Sequence, residues 1–378
     1  MYLQRLHLQH FRNYQAQWVD FQAPKTILVG DNAQGKSNLL EAVELLATLK
    51  SHRTSRDRDL IQDQAQTGQI SATLKRSLSD VDLSLVLRNG SRRTAALNGE
   101  KLRRQMDFLG TLNAVQFSSL DLELVRGGPG MRRLWLDTLL IQLEPVYAHI
   151  LAQYNHALKQ RNALLRHSSL EGDRANIDPP QLALCDAQLA TLGTRVIRRR
   201  SRGIDRLAPI AKHWHCLISG RSEVVDIRYA PNVPVDSDDP SVVQGAFLEK
   251  IQQRAIAEQH QHTSLVGPHR DDIDFLIDDT PARQYGSQGQ QRTLVLSLKL
   301  AELKLIEAVV GEPPLLLLDD VLAELDLNRQ NQLLDAIQER FQTLITTTHL
   351  GSFDAQWLNA SQVLTVKAGE ILTQAPAP

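Results

Sequence analysis

The fold of this 378-residue chain is decided by one short stretch, Gly30-Asp31-Asn32-Ala33-Gln34-Gly35-Lys36-Ser37. Apolar residues 26–29 precede it and predict a strand, and the periodic leucines after Ser37 predict a helix. The stretch fits the pattern GxxxxGK[ST], which requires this strand–loop–helix context. Its backbone N–H groups can converge on an anion at the helix N-terminus. We therefore expect the loop to bind nucleotide phosphates, with Lys36 at the β- and γ-phosphates and Ser37 at Mg²⁺.

A second apolar segment, residues 315–318, ends in two acidic residues, Asp319 and Asp320. It predicts a buried parallel strand. Acids at a strand end often only cap the next helix. Beside a phosphate loop, however, they favour catalysis: Asp319 is expected to hold Mg²⁺ through a water, and Asp320 to activate the attacking water. Gln116 is a further, weaker candidate for contact with Mg²⁺.

A polar segment containing glycine opens a long helix predicted over residues 293–309. It consists of Ser287, Gln288, Gly289 and Gln290 and lies 32 positions before Asp319. Alone it reads equally well as an ordinary helix cap or as a second anion-binding helix N-terminus. ATPases of the ABC superclass have a signature of this kind, which contacts the nucleotide of the opposite subunit. Asp326 and His349 fall where that superclass has its dimer-contact loop and its switch histidine.

Five motifs, in order along the whole chain, resemble the bacterial RecF family of recombination-mediator ATPases. They are Phe11-Arg12-Asn13-Tyr14, the phosphate loop, Gly267-Pro268-His269-Arg270-Asp271-Asp272, residues 285–292 and residues 318–326. Arg132-Arg133 with Leu136-Asp137, and Gln160-Arg161-Asn162, match the middle segment of that family. Ser119-Leu120-Asp121 departs from it, because the family often has Pro-Glu-Asp there. The resemblance adds Arg12 and Asn13 to the expected ATP contacts.

The resemblance implies an α/β head like that of structural-maintenance-of-chromosomes ATPases, with an antiparallel meander and an inserted helical arm. We expect the head to comprise residues 1–120 and 280–378, and the mainly helical arm residues 121–279. Lys36 and Asp319 lie 283 positions apart, with a helical insertion between them. The family also implies a dimer formed on ATP, binding to DNA near single-strand gaps, and cooperation with RecR and RecO to load RecA.

Composition limits the class of protein. Lys and Arg number 42 and Asp and Glu 43, so general basicity cannot drive binding to nucleic acid. Cys185 and Cys216 stand apart, which argues against a disulfide framework or a zinc site and fits a reducing cytosol. No apolar run approaches the length of about 18 residues expected of a membrane span. We therefore expect a cytoplasmic protein without membrane contact.

Two local basic runs predict a path for duplex DNA. Residues 88–104 and 195–206 each carry a net charge of +5, although such runs are usually solvated faces. Neither run contains aromatic residues, which favours contact with duplex phosphates over base stacking. The candidate contacts are Arg92, Arg93, Arg103, Arg104, Arg198, Arg199, Arg200 and Arg202.

Two other functions compete with this interpretation. An ABC transporter subunit would carry the same motifs, but the 251 positions between Lys36 and Ser287 are many more than such a subunit normally has. A nucleotide switch that hydrolyses ATP negligibly is the second alternative. Asp320 is one methylene shorter than the Glu usual in the ABC superclass, so slow turnover is expected.

Overall fold

The computed structural model describes residues 1–77, 79–170, 179–220, 223–337, 340–353 and 355–373. The chain forms two compact units. The first unit comprises Met1–Leu122, Leu217–Gly220 and Arg292–Pro378, and the second comprises Glu123–Cys216 and Arg221–Gln291. Within the described residues, no helix is both long enough and apolar enough to cross a membrane.

The strands are β1 (Tyr2–Phe11), β2 (Tyr14–Asp20), β3 (Lys25–Val29), β4 (Thr67–Lys75), β5 (Asp80–Arg88), β6 (Thr94–Leu97), β7 (Glu100–Lys101), β8 (Ala114–Ser118), β9 (Val225–Ala230), β10 (Asp272–Ile277), β11 (Thr280–Pro281), β12 (Leu315–Asp319), β13 (Thr343–Thr347), β14 (Gln362–Lys367) and β15 (Glu370–Thr373). The α-helices are α1 (Lys36–Thr48), α2 (Glu123–Arg126), α3 (Pro129–Leu143), α4 (Val146–Leu170), α5 (Pro179–Ile218), α6 (Pro240–Gln261), α7 (Ala282–Tyr285), α8 (Gln288–Val310), α9 (Leu327–Ile337) and α10 (Ala355–Asn359).

A mostly parallel sheet organises the first unit. Its strand order is β15-β14-β3-β13-β12-β8, and only the β14–β15 pair is antiparallel. Strands β3, β12 and β13 are buried apolar runs, as expected of a parallel sheet covered on both faces. The carboxyl ends of β3, β12 and β13 meet at one edge, because Thr347 pairs with Val29 and Asp319 with Thr346. This edge is where a ligand is expected in an open α/β sheet.

A second sheet of the first unit is antiparallel, in the order β2-β1-β4-β5-β6-β7. Leu6, Leu8 and Ile70 are among the inward side chains that form one core with helix α1. Alternation along β1, β4 and β5 places apolar residues inside and polar residues outside. This sheet fixes the position of α1 and therefore of the loop that precedes it.

The second unit combines helices α3 to α6 with the small antiparallel sheet β11-β10-β9. Pro240 lies in the first turn of α6, and the Asp239 carboxylate caps that helix by accepting the N–H groups of Ser241 and Val242. The buried charged side chains of this unit include Arg132, Asp137, Arg161, Arg200 and Asp271.

The predicted α/β head with a meander and helices is confirmed. Helix α8 begins at Gln288, before the predicted start at residue 293. Alternation over residues 223–229 predicts a strand, and the observed strand β9 begins at Val225. The sequence also predicts a break between helices over Ser168 to Pro180, which falls largely on residues 171–178, outside the described part of the chain. The tail, residues 374–378, for which we expect disorder, also lies outside it.

Candidate nucleotide site

The phosphate loop turns sharply between β3 and α1. Ala33 and Gly35 have φ values of 63° and 117°, in the region that favours glycine. Lys36 begins α1, and its ammonium group folds back over the loop to donate to the carbonyl oxygens of Gly30 and Asp31 at 2.8 and 2.9 Å. The cation is therefore held at the mouth of the loop, where it can turn to a phosphate.

The Phe11–Tyr14 segment braces the same loop. The Asn13 amide nitrogen donates to the Gln34 carbonyl at 2.9 Å, and the buried Tyr14 hydroxyl donates to the Gly35 carbonyl at 3.0 Å. Asn38 of α1 donates in turn to the Asn13 side-chain oxygen at 2.8 Å. Asn13 and Tyr14 therefore hold carbonyl groups of the loop from outside.

Ser37 and Asp319 meet although 282 positions separate them. The Ser37 hydroxyl donates to Asp319 Oδ1 at 2.7 Å. The Thr346 hydroxyl also donates to Asp319 Oδ1, at 2.8 Å, and accepts the Asp320 N–H at 2.9 Å. Hydroxyl and carboxylate oxygens beside a phosphate loop are the ligands that Mg²⁺ prefers. The residues present therefore fit a magnesium ion at the end of β12.

Asp320 lies one residue beyond the strand, with a φ of 53°. Partial burial raises the pKa of its carboxyl above 3.8; the charge of Lys36 opposes this shift and that of Asp319 adds to it. A raised pKa next to a cation is what a carboxylate base in a phosphate site requires.

Arg12, an expected ATP contact, forms an ion pair with Glu41 of α1. Its contact with ATP stays a prediction. Its guanidinium donates to both oxygens of the buried Glu41 carboxylate, at 2.7 and 2.9 Å, and to the Asp59 carbonyl at 2.6 Å. Arg53 approaches the same carboxylate at 3.4 Å. Two arginines therefore share one acid of α1 beside the loop.

Gln116 lies on β8 opposite Leu317. Its side-chain amide faces Glu44 and His52, with 3.1 Å from the amide nitrogen to Glu44 Oε2 in the orientation that allows donation. Burial raises the pKa of Glu44, and the Glu44 carboxylate raises the pKa of His52 against the effect of burial. The role of Gln116 at Mg²⁺ stays a prediction.

Asp326 and His349 both follow strands of the parallel sheet. Asp326 caps α9 by accepting the Arg329 N–H at 3.0 Å, and its carboxylate pairs with the Arg329 guanidinium, which lowers its pKa. His349 is exposed, with Nδ1 2.8 Å from the Thr348 hydroxyl. Their roles across a dimer stay predictions.

The Ser287 segment belongs to the second unit and forms a capping box at the start of α8. The Ser287 hydroxyl accepts the Gln290 N–H at 3.2 Å, and the Gln290 side chain accepts the Ser287 N–H at 2.8 Å. The Gln290 amide also donates to Glu223 at 3.1 Å. Ser287 and Gln290 thus cap their own helix. The expected contact with a partner's nucleotide would be made in addition to this capping, and it stays a prediction for Ser287, Gln288, Gly289 and Gln290.

Two of the arginines expected to contact DNA are structural instead. Arg200 is only 4% exposed and forms a two-bond ion pair with Asp137, at 2.9 Å for each bond, and another ion pair with Asp271 at 3.2 Å. Arg93 is 13% exposed, pairs with Asp57 and donates to the Leu49 carbonyl. The expectation that Arg200 binds DNA is wrong, because its guanidinium is buried. The Arg93 guanidinium is already paired with the Asp57 carboxylate.

The other candidate arginines lie at the surface. Arg92, Arg103 and Arg104 are exposed. Arg198 and Arg202 share the exposed Asp238 carboxylate, and Arg199 approaches Glu144 at 3.4 Å. These arginines remain available for contact with phosphate.

Thr346 was not predicted as a site residue, although it holds Asp319 and Asp320 together. Its only sequence signal is its place at the end of a buried strand, which any threonine in a core strand shares. The pairing of β12 with β13 gives Thr346 its role.

Comparison with known proteins agrees with this geometry. The protein-family model described as the RecF/RecN/SMC N-terminal domain matches residues 2–370 of this chain. A DNA replication and repair protein RecF from Nostoc punctiforme is 71% identical over 372 residues, which cover 98% of this chain and 99% of that protein. The RecF of a Cyanothece species is 65% identical over 371 residues, with 98% of each chain covered.

Two solved structures extend the comparison. The recombination mediator protein RecF of the RecFOR pathway, with ATP, has a TM-score of 0.91 and 30% identity, and covers 99% of this chain and 98% of its own. An Smc head domain from Pyrococcus furiosus shares the fold, with a TM-score of 0.54, 15% identity, and coverage of 99% and 96%. Full-length identity of this order, with the phosphate loop and the two acids in one site, shows that the chain belongs to the RecF family of DNA replication and repair proteins.

Proposed function

We propose that the chain is a Mg-ATP-dependent DNA-binding ATPase of recombinational repair and replication-fork maintenance, active in the cytoplasm. The observation that carries the proposal is the 2.7 Å bond from Ser37 to Asp319, which joins two predicted magnesium ligands beside the phosphate loop. When bound, ATP would supply the phosphoryl group that is transferred, and Mg²⁺ would supply the positive charge that stabilises its oxygens. Lys36 binds the phosphates, Asp319 and Ser37 hold the metal, and Asp320 takes a proton from the attacking water.

Replacement of Lys36 tests nucleotide binding. Lys36→Ala removes the mobile cation of the loop, and we expect ATP binding to be lost in a titration. Lys50→Ala, which changes a lysine beyond the end of α1, is the control. Near-parental affinity in Lys36→Ala would remove the assignment of the loop.

Dimerisation on ATP is the second part of the proposal. The first turn of α8 in one subunit would bond the γ-phosphate held by the other through charge-assisted hydrogen bonds, and Asp326 and His349 would complete that interface. ADP lacks this phosphate, so hydrolysis would release the dimer.

Sedimentation with Mg-ATP tests this step. Ser287→Arg should prevent the ATP-dependent dimer while ATP still binds to the monomer. Ser287→Thr keeps the capping hydroxyl and should dimerise like the parent. Dimerisation of Ser287→Arg on ATP would leave the segment with its capping role alone.

DNA binding is the third part. We propose that the exposed arginines of α5 and of residues 92–104 contact duplex phosphates near single-strand gaps, and that the protein acts with RecR and RecO to load RecA. The proposal draws support from Arg199 and Arg202, which lie three positions apart on α5 and reach the surface.

The salt dependence of DNA affinity tests the path. Loss of two phosphate contacts in Arg199→Ala/Arg202→Ala should flatten the slope of log affinity against log salt by about 1.8. Arg228→Ala removes an exposed arginine outside both basic runs and should leave the slope unchanged. An unchanged slope in the double variant would mean that residues 195–206 form a solvated helix face without contact to DNA.

Hydrolysis separates an ATPase from a switch that only binds nucleotide. We expect slow turnover, stimulated by duplex DNA, in a single-turnover assay. Turnover indistinguishable from buffer, with and without DNA, would favour the switch.

A further inference from the structure

The hairpin that joins β14 to β15 has a two-residue turn, Ala368-Gly369. Both residues have positive φ, 50° and 82°, and Lys367 pairs with Glu370 across the turn. Such a turn matches the twist of a two-stranded hairpin and strongly favours glycine at its second position. Its N–H groups point to a fixed place beyond the end of the hairpin.

That place is Gln34 of the phosphate loop, more than 330 positions earlier in the chain. The Ala368 N–H donates to Gln34 Oε1 at 2.7 Å, and the Gly369 N–H donates to the Gln34 carbonyl at 2.9 Å. The same carbonyl accepts the Asn13 amide at 2.9 Å. Gln34 is therefore bonded through both its main chain and its side chain.

Steric contact reinforces these bonds. A Cβ atom on Gly369 would lie 2.2 Å from the Asn13 carbonyl oxygen. A Cβ atom on Gly30, at the start of the loop, would lie 2.3 Å from the Val366 carbonyl oxygen of β14. The hairpin thus approaches the loop at Gly30 and the Phe11–Tyr14 segment at Gly369, backbone to backbone in both places.

We propose that the Ala368-Gly369 turn positions the phosphate loop, and that it acts through Gln34. The inference rests on the proposed binding of ATP. Ala33, directly before Gln34, has a φ of 63°, which is strained for a residue with a side chain and persists only where the surroundings impose it. Bonds to the Gln34 carbonyl turn it outward, so that the N–H groups of the loop stay turned toward the phosphates.

The positioning role predicts a specific kinetic pattern. The loop holds the β-phosphate, which ATP and ADP share, so a displaced loop weakens both nucleotides alike. Asp320 follows β12, which strands β13 and β3 separate from β14 in the sheet. We therefore expect KM to rise while kcat at saturating ATP changes less than twofold.

Gly369→Ala tests the inference, with Gly99→Ala as a matched control. Gly99 ends the Asn98-Gly99 turn between β6 and β7, with φ values of 50° and 80°, and a Cβ atom there meets nothing within 4 Å. Both variants impose the same backbone strain, and Gly369→Ala adds the clash with the Asn13 carbonyl, so it should lower the melting temperature further. Only Gly369→Ala should weaken ATP and ADP binding, by about tenfold. Parental affinity in Gly369→Ala would overturn the inference.

A second variant guards against misfolding of the first. Gln34→Leu removes the acceptor of the Ala368 N–H and leaves the hairpin intact. Its affinities for ATP and ADP should fall about threefold, and unchanged affinities would also overturn the inference. Failure of the parent and of Gly99→Ala to bind ATP would instead contradict the proposed function itself.

Discussion

The candidate nucleotide site and the buried ion network of the second unit are built from the same kinds of residue and do opposite things. In the network, Asp137 accepts two bonds from Arg200 and one from Tyr147, and Asp271 is bonded by Arg200, Tyr229 and the Asn232 N–H. In the nucleotide site, the Lys36 ammonium bonds two loop carbonyls that a phosphate can replace.

The difference shows how the bonded partners decide the role of a buried charge, because Lys36 is 4% exposed and therefore as buried as Arg200. A buried ion pair whose partners satisfy one another contributes to the specific fold, and removal of one partner leaves an uncompensated charge. A buried cation that is bonded to neutral carbonyl oxygens, as Lys36 is, can exchange them for an anionic ligand. Both Gly267–Asp272 and the phosphate loop carry the family resemblance, but only the loop is built to exchange partners.

Asp320→Asn gives the largest effect expected in the nucleotide site. Loss of the general base should slow hydrolysis by about 10²–10⁴-fold, while ATP still binds through Lys36 and Ser37. The ATP dimer should live longer. Single-turnover hydrolysis measures the effect, and exposed Asp279→Asn is the control. Parental turnover would mean that another residue orients the water.

Arg200→Ala gives the matching effect in the network. It leaves Asp137 and Asp271 buried without their cation, so the free energy of unfolding should fall by about 3–5 kcal/mol. Arg202→Ala, at an arginine 54% exposed on the same helix, should change it by less than about 1 kcal/mol. Denaturant unfolding compares the two, and equal effects would contradict the contrast drawn between buried and exposed arginines.

Thr346→Val tests the hydroxyl group that bonds both Asp319 and Asp320 in the nucleotide site. The variant keeps the shape of the side chain but leaves the Asp320 N–H without its acceptor, so unfolding should become easier by about 1–2 kcal/mol. Turnover should also fall, because the Asp319 carboxylate and the Asp320 backbone N–H lose their common partner. Thr346→Ser keeps the hydroxyl and should restore turnover, which a purely structural effect of volume would not do.

The pH dependence of turnover is the smallest effect. The raised pKa of Asp320 means that its active, charged form is lost at a higher pH than for an ordinary aspartate. The acid limb of the pH–rate profile should therefore lie above pH 3.8. The same shift stabilises the protonated fold, and that contribution is lost as pH rises through the raised pKa. Asp320→Asn should abolish both dependences, and an acid limb at or below 3.8 would contradict the assignment.

Much of the first unit could be predicted from the sequence, because the motifs that indicate it are formed by residues close together in the chain. The pattern around Lys36 fixes a strand, a turn and a helix within about twenty residues, and residues 315–320 fix a strand and its acids. The meeting of Ser37 with Asp319 follows from parallel pairing of two such strands, which motif order makes predictable.

What could not be predicted depends on contacts between distant segments. Arg198, Arg199 and Arg200 are adjacent and chemically equal, and only the packing of α5 on Asp137 and Asp271 buries the third. The link from Gln34 to Gly369 has no local signal at either end. Ser287 illustrates a third limit, because a capping box and an anion site use the same residues at the same spacing.

The bond from Gln34 to the β14–β15 turn also has a consequence for synthesis of the chain. Ribosomes add about 5–20 residues each second, so roughly 15 to 70 seconds separate the emergence of Gln34 from that of Gly369. The segments of the second unit, which end at Gln291, are complete well before then. A nascent chain therefore carries its nucleotide-binding sequence for most of its synthesis without the hairpin that supports it. Under the proposed role of the hairpin, full affinity for ATP is acquired only after Gly369 has been added to the chain.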